Sequence, residues 1–248
     1  MNITIKTKSE LDLMRQAGKI LADTLKLIEQ NIYIGQTSAQ LDKLAYDYIT
    51  SLGAKPSFLG YEGFPYTICA SVNDEVVHGF ASDIPLKDGD IISIDCGVNW
   101  KGYHADAART FAVGNVEPKV LKLIECTKQS FFEGIKDIRA GSKLGHISHK
   151  IQVHLESNGY GVVRELVGHG IGTHLHEDPM VPNYGPYNAG VLLRSGMTLA
   201  IEPMSTLGKR NVVLHHNGWT VLTEDGLPSA HYENTVIITD DGVEIITL

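Results

Sequence analysis

Residues 90–113, DIISIDCGVNWKGYHADAARTFAV, read as two strands, Asp90 to Val98 and Tyr103 to Val113, around the turn Asn99-Trp100-Lys101-Gly102. The first strand is apolar enough to be buried, yet it carries Asp95. A buried, unpaired carboxylate is costly, so something must neutralise or coordinate it. With the turn centred between Trp100 and Lys101, Asp106 falls directly opposite Asp95. Cross-strand Cβ atoms are then ~4.5–5.5 Å apart. Two carboxylates that close repel by roughly 1–4 kcal/mol near a surface, and by more when buried. They share either a proton or a metal.

Helices lie ahead of this hairpin. Thr7-Lys8-Ser9-Glu10 has the form of a capping box, and Leu11, Met14, Gly18, Leu21 and Leu25 follow near one stripe to about Glu29. Thr37-Ser38-Ala39-Gln40 repeats the signal, with Leu41, Leu44, Tyr48 and Leu52 at helical spacing and Gly53 as the stop. Beyond the hairpin, helices are expected from Pro118 to about Asp137 and from about Lys143 to Ser157. Extended segments are expected near 162–167, 197–203, 211–214, 219–222, 231–239 and 243–247. Early helices and late strands give an α+β fold, with helices covering one face of a largely antiparallel sheet. No linker, charge block or repeat divides the chain, so a single domain over 1–248 is expected.

The formal net charge of −8, with Lys and Arg scattered, argues against direct nucleic-acid binding. No apolar stretch approaches a membrane span, and MNITIKTKSELDL lacks the apolar core of a signal peptide, so a cytosolic protein is expected. Cys69, Cys96 and Cys126 form no CxxC pair, which points away from a disulfide framework or a thiolate zinc site.

Acids recur in strand-like apolar runs downstream: Glu202 in MTLAIEP and Glu233 in HYENTVII. Each alone fits an exposed strand position. His169, in GHGIG, reads as a loop histidine whose flanking glycines let backbone and ligand approach closely. Taken together, Asp95, Asp106, His169, Glu202 and Glu233 form a hard, oxygen-rich ligand set. It carries too much charge for one zinc and suits a pair of divalent ions such as Mn, Fe or Co. There is no HExxH helix, GxSxG elbow, P-loop or strand-borne GxGxxG. Metal-activated hydrolysis is the chemistry that remains.

In IDCGVNWKGYHADAARTF, GHGIG, AIEPM and HYENTVIIT the chain resembles the methionine aminopeptidases, over essentially its whole length. The resemblance implies the pita-bread fold, with two pseudo-symmetric halves around an antiparallel sheet. It implies two divalent ions (Co, Mn, Fe or Zn), bridged by Asp106 and Glu233, with Asp95 on one ion and His169 and Glu202 on the other. It implies removal of the initiator methionine from nascent polypeptides by hydroxide attack, with a small second residue preferred. Glu202 is then the proton acceptor, and His78 and His176 contact the scissile peptide. Tyr61, Phe64, Cys69, Leu175 and Trp219 stand where the family places its side-chain pocket. Phe58 stands where some members have cysteine, and Leu175 where some have phenylalanine.

Prolidases and Xaa-Pro aminopeptidases share this ligand set but carry a large N-terminal domain, whereas 94 residues precede Asp95 here. Type II relatives insert a helical subdomain between the last two ligands, for which the stretch from Glu202 to Glu233 is too short. A short type I enzyme is therefore the closest match; a monomer is expected separately, and ribosome docking is left open. His104, His146, His149, His154, His215 and His216 read as surface residues, and His174 and His231 fit either role.

Overall fold

The computed structural model describes residues 2–248. α1 (Lys8–Glu29) opens on the expected capping box, with both reciprocal bonds between Thr7 and Glu10 present. Its buried stripe runs through Met14, Ala17, Gly18, Leu21, Leu25 and Ile28. Gly18 is required there, because a Cβ would stand 2.1 Å from the Ile246 carbonyl oxygen. α2 (Ser38–Ser51) is capped in the same way by Thr37 and Gln40. α3 (Pro118–Ile135) has Pro118 in its first turn, and α4 (Leu144–Ser157) ends next to Asn158. Among the described residues no helix is long and apolar enough to cross a membrane.

The strand pairings are antiparallel throughout the described residues. In the N-terminal sheet β1 (Lys55–Pro56) and β2 (Ile68–Val72) pair with β4 (Ile91–Trp100), whose other neighbour is β5 (Tyr103–Ala112). β3 (Glu75–Val77) joins β11 (Val212–Leu214) and β12 (Val221–Thr223) in order β11-β12-β3. β6 (Gly161–Val162) lies beside β10 (Met204–Thr206), which pairs with β13 (Ser229–His231). The largest sheet follows the order β15-β14-β9-β7-β8. Its strands are β7 (Gly168–Gly170), β8 (Glu177–Val181), β9 (Thr198–Ile201), β14 (Asn234–Ile238) and β15 (Val243–Ile245).

Two cores result. Leu21, Ile28, Leu41 and Ile49 from α1 and α2 pack on Ile92, Ile94, Cys96 and Val98 of β4. Phe131, Ile147, Ile151 and Leu155 from α3 and α4 pack with Leu199, Ile201, Val236 and Ile238 of β9 and β14. The halves meet where Ala108 and Glu233 exchange backbone hydrogen bonds (3.0 and 3.4 Å). Beside that exchange, the Thr235 hydroxyl accepts from the Asp106 N–H and donates to its carbonyl, both at 2.8 Å.

The hairpin differs from the sequence reading by one pair. Trp100 faces Tyr103, Gly97 faces Asp106 and Asp95 faces Ala108, so the two acids are diagonal rather than opposite. The reason is the loop. A two-residue type I′ turn needs positive φ at both central residues, and Lys101 (φ 50°) and Gly102 (φ 89°) supply it, which moves the turn centre one residue on. Because partners shift by two, both carboxyl groups keep the same sheet face. A second difference concerns His169, read as a loop residue but lying within β7, paired with Met180 and Ala200. The flanking glycines admit neighbouring strands: a Cβ at Gly168 would meet the Ala200 carbonyl at 2.4 Å, and one at Gly170 the Asp178 carbonyl at 2.1 Å. The expected strand at 231–239 is broken at Tyr232-Glu233, and that at 162–167 shrinks to Gly161–Val162.

Candidate metal centre

One cavity of about 140 Å³ collects the whole set of site residues read from the sequence. Asp95, Asp106, His169, Glu202 and Glu233 form its polar end; His78 and His176 are also in its lining. Tyr61, Phe64, Cys69, Leu175 and Trp219 form the apolar wall together with Phe58, and Glu62, which the sequence reading did not assign, is also in the lining.

Ligand atoms of Asp106, His169 and Glu233, all buried, lie within 4.8 Å of one another. Glu202, which follows β9 directly, brings Oε1 to 3.7 Å from His169 Nε2, and Asp106 Oδ2 lies 3.8 Å from that same nitrogen. His169 Nδ1 is 2.8 Å from the Gly170 carbonyl oxygen. That bond requires the proton on Nδ1, which leaves the Nε2 lone pair facing the acids. Burial lowers this imidazole to about 3, so it stays neutral.

Burial and mutual repulsion raise the proton affinity of all four acids. Burial pushes the Asp95 carboxyl up to about 7, against the hydrogen bonds it accepts from Asp106 and from the Cys96 N–H. Asp106 is driven well above the ordinary carboxylate range by burial and by the charges of Glu233 and Asp95. Burial and neighbouring acids do the same to Glu202 and Glu233. Asp95 Oδ1, Asp106 Oδ1 and Glu233 Oε1 are sealed from solvent without a hydrogen-bond partner. Arg109 is nearby, but its guanidinium donates to carbonyl oxygens of Ala108, Glu233 and Thr247 and to Asn234 Oδ1. Converging, unpartnered carboxyl oxygens with one imidazole lone pair are a fit for hard divalent cations.

Above the acids, the Tyr61 hydroxyl lies 2.8 Å from His176 Nδ1, and the His176 ring stands edge-on to His169 with centroids 4.3 Å apart. His78 occupies left-handed backbone space (φ 58°), unusual for a residue with a side chain and concentrated at working sites. Its ring donates to the Trp219 backbone carbonyl. Phe64 packs edge-on against Trp219 at 5.2 Å. The Cys69 thiol is buried and pushed up by that burial, so it presents a neutral, polarisable surface.

One histidine departs from its sequence reading, and a second, left open there, is buried. His104 is half-buried, bonded to Ser57 Oγ and Asn99 Nδ2 at 2.8 Å each, and burial lowers it to about 4. His231, whose role the sequence left undecided, is 1% exposed and packs behind Glu202 and Glu233. Neither carries a local motif; their burial comes from elements distant in sequence. The loop bearing His176 is also tied down from afar, since Glu177 Oε2 accepts from Lys6 Nζ (2.5 Å) and Thr4 Oγ1 (2.7 Å).

The model of metallopeptidase family M24 matches residues 12–240. A protein of Clostridium perfringens named methionine aminopeptidase is 52% identical over 99% of both chains. The crystal structure of methionine aminopeptidase from Thermotoga maritima superposes with a TM-score of 0.97 at 44% identity, covering 99% of each chain. Prolidase from Pyrococcus furiosus shares the fold at 23% identity, with a TM-score of 0.81 over 98% of this chain and 65% of its own.

Proposed function

Because the chain belongs to metallopeptidase family M24, we propose that it removes the N-terminal initiator methionine from nascent polypeptides, preferring a small second residue. The observation that carries this reading is the convergence of Asp106, His169 and Glu233, flanked by Asp95 and Glu202, at the end of an aromatic-walled cavity. Two divalent ions (Co, Mn, Fe or Zn) would be held there. Asp106 and Glu233 would be shared, Asp95 would complete one coordination shell, and His169 and Glu202 the other. When bound, such ions acidify water to near neutrality, polarise a carbonyl and take a free α-amino group.

The remaining work belongs to side chains of this protein. Phe64, Trp219, Tyr61, Cys69 and Leu175 receive the methionine side chain; the cavity lies well below the ~300–1,000 Å³ of pockets for drug-sized ligands, so it admits little more than one residue. Tyr61 holds the His176 ring through Nδ1, leaving Nε2–H free to donate where negative charge develops on the carbonyl oxygen. His78, fixed by its bond to the Trp219 carbonyl, lines the path of the peptide. Glu202 takes the proton of the attacking water and delivers it to the leaving amine.

On this reading the partners are polypeptide N-termini, and the protein acts in the cytosol as a monomer. The fold alone also serves enzymes that cleave beside proline, so the deciding experiment compares Met-Ala-Ser with Ala-Pro-Gly after loading Mn, Co or Fe. Hydrolysis of the first and not the second is expected. The reverse preference, or no hydrolysis of any methionyl peptide, would overturn the assignment.

A further inference from the structure

Behind the four acids and one histidine stands a sixth ionisable side chain with no assigned role. His231 is 1% exposed, and its Nε2 has no hydrogen-bond partner. That nitrogen lies 3.7 Å from Glu202 Oε2 and 4.0 Å from Glu233 Oε2. Glu202 is thus bracketed, with His169 3.7 Å from one carboxylate oxygen and His231 3.7 Å from the other.

The backbone of His231 is fixed. It pairs with Met204 across β10 and β13, its N–H donates to Thr110 Oγ1 at 2.9 Å, and its carbonyl accepts from that hydroxyl at 2.9 Å. Thr110 in turn is held by Ser93 at 2.8 Å. An imidazole in so rigid a setting, with an orphaned nitrogen aimed at two carboxylates, is costly unless the nitrogen is used. Closing from 3.7 Å to a hydrogen bond of about 2.9 Å needs less than about 1 Å of movement by the Glu202 carboxylate.

We propose that His231 is a positioning residue whose Nε2–H donates to Glu202, within reach of Glu233 as well, and holds these carboxylates in the orientation that binds the cations. This rests on the metal-centre reading above and adds to it a residue outside the ligand set. Hydrogen bonds of this kind, from a group that does not touch the ion, typically govern metal affinity by 10–100-fold.

The test is calorimetric titration of Mn²⁺ into metal-free wild type, His231→Leu and His231→Gln. The expected result is a loss of about 10–100-fold in affinity for His231→Leu, with affinity close to wild type for His231→Gln, whose amide N–H₂ can replace the donor. Wild-type affinity in the leucine variant, or an equal loss in both, would overturn the proposal while leaving the metal centre intact. Absence of Mn²⁺ binding by the wild type would overturn the metal-centre reading and this proposal with it. Should His231→Leu fail to fold by circular dichroism, ¹⁵N-histidine NMR of the Zn²⁺-loaded wild type decides. A slowly exchanging proton on His231 Nε2 supports the donor role; a bare or metal-bound Nε2 overturns it.

Discussion

Asp106 faces Gly97 across the β4–β5 ladder and meets Asp95 on the diagonal, so the two carboxyl groups share a hydrogen bond on one sheet face. The geometry matters because Gly97 leaves that face open on its own strand. A Cβ there would stand 2.7 Å from Ser57 Cβ and 2.8 Å from Phe58 Cε1. The glycine therefore admits the segment that brings Phe58 to the cavity, while the acids crowd together beside it.

Replacing Asp106 by Asn removes one of four buried, mutually repelling carboxyl groups. The metal-free variant is expected to melt no lower than wild type. Mn²⁺ at 100 times its dissociation constant stabilises the wild type by about 2.7 kcal/mol. Differential scanning calorimetry with and without Mn²⁺ checks both points; a wild-type metal-induced rise in Tm in the variant would remove Asp106 from the ligand set.

Glu202→Gln keeps the shape of the side chain and abolishes its capacity to accept a proton. Turnover of Met-Ala-Ser is expected to fall by ~2 or more orders of magnitude, with the fold unchanged by circular dichroism. Near-normal kcat would take the proton transfer away from this residue.

The pair Lys6–Glu177 gives a pH-dependent signature. Burial raises the Glu177 carboxyl, but the bonds from Lys6, Thr4 and the His174 N–H outweigh it and leave the group below its ordinary value. A depressed folded-state pKa contributes stability above the unfolded value of ~4.3, and the contribution is lost as pH falls through the folded value. With side chains only 6% and 7% exposed, Glu177→Gln leaves a buried ammonium unpaired and is expected to cost about 3 kcal/mol at pH 7. Urea unfolding of both proteins at pH 7 and pH 3.5 tests this: the gap should narrow in acid, and a gap that widens contradicts the assignment.

Lys101 occupies left-handed backbone space at φ 50° in a turn that favours Asn-Gly. Lys101→Asn is expected to stabilise the protein by up to about 1 kcal/mol without altering turnover, measured as a shift in urea midpoint at constant slope. A lower midpoint would mean that the Lys101 ammonium, 5.1 Å from the centroid of the Trp100 ring, contributes more than the turn gains.

Much of this was legible in the sequence. Both capping boxes announce their helices, because the signal sits within four residues. Asp95 betrays the site, because a carboxylate in an apolar run is costly wherever the strand goes. The hairpin is legible too, but its register is one pair off when the turn is centred on Trp100-Lys101, because Gly102, rather than Trp100, takes positive φ beside Lys101. The strand that carries His169 is not legible, since glycines that admit a ligand and glycines that admit neighbouring strands look alike in one dimension. His231 and His104 had no local signal, as each is buried by segments far along the chain.

The hydrogen bonds joining Asp106 to Thr235 span 129 positions, and the Arg109 guanidinium reaches as far as the Thr247 carbonyl. A ribosome releases the chain from its N-terminus, so the first two acids emerge long before Glu233 exists to meet them. The centre is therefore an end-of-synthesis structure. No copy that stops short of Glu233 holds the full set of five, and cutting the chain between His231 and Glu233 should silence the enzyme even with Asp95, Asp106, His169 and Glu202 untouched.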